Sequence, residues 1–122
     1  MGLAVTSANV TSVANQAADV HAPAANTAAV VTYAADTNTT HIIGGVAWSY
    51  GVAAPTGGNV KIEDGSDTVL SLDITASGPD LIQFVRPLRG TKGNLLKVTV
   101  SAGGGTSVAK VTVLGHWTEV SY

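Results

Sequence analysis

The chain has 122 residues, a formal net charge of −2, no cysteine and only 11% charged residues, where an ordinary soluble domain has about 25%. This excludes disulfide staples and thiolate chemistry, and five scattered basic residues near the C-terminus are no nucleic-acid footprint. No run of 18 apolar residues exists to span a bilayer as a helix, and no basic stretch precedes an apolar one to suggest a signal peptide.

The length predicts one domain, with an arm. Residues 1–26, MGLAVTSANVTSVANQAADVHAPAAN, hold Ala, Val, Ser, Thr and Asn with a single charge and no large aromatic. β-Branched residues and Asn weigh against a helix, and Pro23 would end one. An extended N-terminal arm is expected, ordered by contact with something else.

Residues 27–122 read as strand, turn, strand. Thr27–Ala35 is apolar around Val30, Val31 and Tyr33. Thr40–Val52 carries Ile42, Ile43, Val46, Trp48 and Tyr50, and Gly44-Gly45 predicts a bulge or bend. After a turn over Ala54–Gly58, Asn59–Glu63 alternates, with Val60 and Ile62 inward. Asp64-Gly65 is a tight-turn signal. Asp67–Ile74 follows, with Leu70, Leu72 and Ile74 on one face.

Ser77–Asp80 predicts another turn, and Leu81–Arg86 a short strand with Ile82 and Phe84 inward. Pro87–Asn94 reads as a loop, and Asn94–Ala102 as an alternating strand. Gly103-Gly104-Gly105 reads as a hairpin loop before Thr106–Leu114, and His116–Tyr122 is the last piece. Eight short strands without a competing helix predict an all-β fold. It is an antiparallel β-sandwich, jelly-roll-like in preference to immunoglobulin-like.

Candidate chemistry is sparse. His21, His41 and His116 share no metal-ligand spacing and read as surface or strand-end residues. Glu63, Asp64, Asp67 and Asp73 crowd the hairpin turn, which could suggest calcium or paired carboxylates. The loop lacks the twelve-residue calcium pattern, and backbone geometry alone explains Asp-Gly there. The glycine run has neither Lys nor a following helix to cradle phosphate. No acid–base or nucleophile constellation stands out, so no enzyme and no cofactor are expected. The start Met1-Gly2 and the triplets at Asn9 and Asn38 match lipidation and glycosylation patterns, and both read as incidental.

Charge is uneven. Residues 1–80 hold seven of the acids against Lys61, while 81–118 hold Arg86, Arg89, Lys92, Lys97 and Lys110 and no acid. Either a basic patch meets an acidic partner or these are solvated strand ends. Trp48 reads as core or subunit interface, and Trp117 is open to both a contact and a stacking role. The candidate interface residues are Trp48, Arg86, Arg89, Lys92, Lys97 and Trp117.

From Thr40 to Gly115 the chain resembles small β-sandwich proteins of tailed-phage virions. The resemblance lies in THIIGGVAWSY, APTGGNVKIEDG, LDITASGPDLIQF, PLRG and LKVTVSAGGG. It implies a head decoration (cement) or head-fibre protein, a trimer of jelly rolls with an arm. The expected function is binding the outer capsid surface and stabilising adjacent major capsid subunits. The expected partners are further copies of itself and the major capsid protein, with no nucleic acid and no membrane. The location would be the virion surface, after assembly in host cytoplasm. The alternative is a carbohydrate- or receptor-binding module of a tail or surface appendage.

Overall fold

A computed structural model describes residues 19–122, and expectations about residues 1–18 lie outside these. Among the described residues nine strands run in chain order: β1 Val20–His21, β2 Ala29–Tyr33, β3 Thr39–Tyr50, β4 Asn59–Asp64, β5 Asp67–Asp73, β6 Asp80–Arg89, β7 Leu96–Val100, β8 Ala109–Leu114 and β9 Trp117–Val120. No α-helix occurs among the described residues.

Register fixes the topology. β1 pairs β8, β2 pairs β7, β3 pairs β6 and β4 pairs β5, all antiparallel. Two further ladders, β3 with β8 and β4 with β7, knit these four pairs into two sheets. One sheet runs β1-β8-β3-β6 and the other β2-β7-β4-β5. First pairs with eighth, second with seventh, third with sixth and fourth with fifth, which is the jelly roll. The immunoglobulin-like alternative does not have this order.

β9 continues β8. Gly45 faces Leu114 and Ile42 faces Trp117, so both strands keep one register along β3. Ile42 also faces Arg89, and Trp48 faces Asp80, so β6 holds the opposite edge of β3 throughout.

The two sheets enclose a core of alternating side chains. Ala29, Val31 and Tyr33 come from β2, Val60 and Ile62 from β4, Leu96, Val98 and Val100 from β7, and Ala109, Val111 and Val113 from β8. β3 adds Ile43, Val46, Trp48 and Tyr50. Ile43 and Val46 differ in parity yet both face inward, because the predicted break at Gly44-Gly45 resets the pleat. Opposite it, four residues of β6, Phe84–Pro87, face the single Gly44. A Cβ on Gly45 would stand 2.5 Å from the Ile82 carbonyl oxygen, so only glycine lets β6 run this close.

Three expectations change. Val20–His21 pairs with Val111 and Thr112, and the Asn26 N–H donates to the Ser107 carbonyl, so residues 20–26 belong to the sandwich and not to an arm ending at 26. Pro87 lies inside β6, not in a loop, because the bulge frees its position from the ladder. The glycine run 103–105 joins β7 of one sheet to β8 of the other, so it is a crossover rather than a hairpin loop. Gly104 and Gly105 take positive φ there.

Candidate functional site

Trp48 is 7% exposed, packed in the core between the ladders to Val111 and Asp80. It is therefore a core residue, corrected here from the candidate interface, because the bulge at Gly44-Gly45 turns its side of β3 inward. Trp117 lies instead on the outer face, 42% exposed. With Pro87, Arg89 and Glu119 it borders a shallow depression of about 180 Å³ floored by Ile42.

The basic residues do not gather. Arg89 donates through both terminal nitrogens to one Glu119 oxygen, at 2.8 and 2.6 Å. Lys97 lies on the other sheet, 3.6 Å from Glu63, which also sits 3.9 Å from Lys61. Arg86 stands in the β6 bulge and Lys92 in the loop after it, both exposed. Two of the five bases thus meet an acid: Glu63 faces Lys97 in the β4–β7 ladder, and Glu119 reaches Arg89 across β3.

The loop holding Lys92 is itself anchored. Asp64 closes β4, nearly buried, and its Oδ1 accepts the Thr91 N–H at 3.0 Å and the Asn94 amide at 3.3 Å. Its Oδ2 accepts the Thr91 hydroxyl at 2.6 Å. Burial alone would raise this carboxyl, but the hydrogen bonds outweigh it and hold it below the ordinary carboxylate value. The turn residue of the sequence reading is therefore a loop clamp.

A second polar cluster joins residues far apart in sequence. His41 Nε2 lies 2.8 Å from the Ala34 carbonyl, and its Nδ1 lies 3.1 Å from His116 Nε2. A carbonyl only accepts, so Nε2 of His41 carries a proton. In the neutral pair His116 therefore donates to His41 Nδ1. The His116 ring stacks on Tyr33 at 3.6 Å between centroids, 5° from parallel. The Tyr33 hydroxyl donates to Asp19 Oδ1 at 2.6 Å.

Burial, then the neighbouring His41, lowers the His116 pKa, and Asp19 partly opposes this. Burial and the Asp19 carboxylate push the Tyr33 phenol far up. Nothing local in the sequence marks this cluster, since His41 and His116 are 75 residues apart. Among the described residues no group of three His, Cys, Asp or Glu is placed to hold a metal ion, and no buried side-chain polar atom lacks a partner.

Exposed apolar side chains also lie on two edge strands. β1 and β8 pack over β2 and β7, which leaves β5 and β6 as the edges of the other side. Among the described residues β5 pairs only with β4 and β6 only with β3. These two strands carry Val69 (48% exposed), Leu72 (42%), Leu81 (51%) and Val85, which is fully exposed in the bulge.

The chain matches no protein-family model, no curated protein and no solved structure.

Proposed function

We propose that this protein is a structural component of a virus particle, a capsid decoration protein that acts as a homotrimer. It binds the outer capsid surface and holds adjacent major capsid subunits together by contact, without catalysis. The observation that carries this reading is the pair of edge strands β5 and β6. They present Val69, Leu72, Leu81 and Val85 to solvent. Exposed edges and apolar side chains of this kind need cover, and isolated monomers ordinarily blunt them. The charge content of 11% supports the same reading, because a free monomer stays soluble largely through charge. The resemblance to small tailed-phage virion proteins points to a capsid as the larger assembly. Three copies engaging equivalent sites would gain avidity beyond a single contact.

Light scattering of the purified chain tests it. The expected mass is three times the 12.2 kDa chain. A Leu81→Lys/Val85→Lys variant should shift to smaller species while keeping its fold. A wild-type protein that stays monomeric at micromolar concentration, and fails to co-sediment with undecorated capsids, overturns the proposal.

A further inference from the structure

The cluster of Asp19, Tyr33, His41 and His116 is placed where a conformational device would be. Each residue comes from a different part of the fold. Asp19 directly precedes β1, Tyr33 ends β2, His41 lies near the start of β3, and His116 occupies the break between β8 and β9. The cluster thus ties Asp19, at the start of the described residues, to three strands that are otherwise set by the core.

The hydrogen bonds limit how many protons the pair can hold. His41 Nε2 is committed to the Ala34 carbonyl, so the 3.1 Å contact between the rings needs one bare nitrogen. One added proton is tolerated, because either ring can carry it while the other nitrogen of the contact accepts. A second proton sets N–H against N–H and places two cations with centroids 5.3 Å apart. The groups acting on His116 are His41, Asp19 and the stacked Tyr33 ring. Asp19 favours the first proton, but its hydrogen bond is to the Tyr33 hydroxyl and not to the facing nitrogens of the two rings, so it does not relieve the contact between them.

We infer that the His41–His116 pair, with Tyr33 and Asp19, is an acid-sensitive latch that holds residues 19–33 on the sandwich at neutral pH and releases them in mild acid. This does not depend on what the sandwich binds. In the unfolded chain His116 takes up its proton near pH 6.5, whereas burial and the neighbouring His41 hold it lower in the fold, so acid favours opening. Each proton excluded costs about tenfold in the folding equilibrium per pH unit below that value.

The experiment compares the full chain with three variants between pH 7.5 and 5.0. His116→Gln keeps an amide donor towards His41 but cannot titrate, and the His41→Gln/His116→Gln double variant removes the pair. His21→Gln is the control, because His21 is the third histidine and accepts the Val30 N–H through Nδ1 at 2.9 Å. In the wild type the folding equilibrium constant should fall at least tenfold over this range. Amides of residues 19–33 should lose exchange protection, corrected for intrinsic rates, before those of the β4–β5 hairpin. His116→Gln should show a shallower dependence, the double variant less than a threefold change, and His21→Gln most of the wild-type slope. An unchanged slope in the double variant overturns the latch. So does imidazole ¹⁵N NMR of the folded wild type showing both rings doubly protonated at pH 6 with residues 19–33 still protected, a measurement that needs no variant to fold.

Discussion

Asp64 and Thr91 are joined twice, carboxylate oxygen to backbone N–H at 3.0 Å and to hydroxyl at 2.6 Å, across 27 residues of sequence. This clamp ties the hairpin end of one sheet to the loop that leaves the other. Asp64→Ala should cost about 2 kcal/mol in denaturant unfolding, because it strands the Thr91 and Asn94 donors. The pH dependence follows from the sign of the shift. The folded carboxyl sits below the unfolded value of 3.8. Its contribution is therefore complete above about pH 4 and is lost as pH falls through the folded value. Wild type and Asp64→Asn should converge in stability in that acid range and differ above it.

Gly45→Ala should destabilise by about 2 kcal/mol or more, since the new Cβ would meet the Ile82 carbonyl oxygen at 2.5 Å, backbone against backbone. At Gly44 the nearest atom would be the Leu114 carbonyl oxygen at 3.3 Å, so Gly44→Ala should cost less. Thermal unfolding of the two variants side by side checks the order.

Gly65→Val should cost about 1 kcal/mol or more. Gly65 holds φ at +62° in the two-residue turn between Asp64 and Asp67, and its Cβ would stand 2.9 Å from the Asn94 amide nitrogen. Gly65→Asn should fall between, because Asn tolerates this backbone region better than a β-branched residue. An unchanged melting temperature in Gly65→Val would remove the requirement for positive φ.

Truncation tests the domain boundary. Removing residues 2–18 leaves every contact among residues 19–122 in place and serves as the reference. Removing residues 2–24 takes away Val20–His21, the Asp19 acceptor of the Tyr33 hydroxyl and the His21 acceptor of the Val30 N–H. That deletion should cost about 2 kcal/mol or more. Equal stability of the two truncations would restore the boundary at residue 26.

Alternation made the strands legible. Val60 and Ile62, Leu96, Val98 and Val100, and Ala109, Val111 and Val113 advertise their buried face two residues at a time. The hairpin at Asp64-Gly65 and the break at Gly44-Gly45 were legible because glycine at those sites answers a local backbone demand. β1 was not, since Val20–His21 is a two-residue strand with both residues exposed, held by its partner rather than by its own pattern. The His41–His116 pair and the Asp64–Thr91 clamp were hidden for a related reason. Each joins residues that only the completed sheets bring together, and periodicity reports faces, not neighbours across a fold. The same gap made Arg86 to Lys97 look like a patch, when strand pairing sets Glu119 and Glu63 beside two of its members.

The nested pairing of strands has a consequence for synthesis. β4 and β5 can pair as soon as both leave the ribosome, but β3 keeps one bare edge until β8 arrives near the end of the chain. A nascent chain stopped before Ala109 would lack β8, one of the two central strands of its first sheet, and would have no partner for β1. Closure of the fold therefore waits on pairings between residues far apart in sequence, such as Val20 with Thr112, which slows folding. Fragments released early should accumulate as aggregation-prone species, which pulse-labelling of C-terminally truncated chains would reveal.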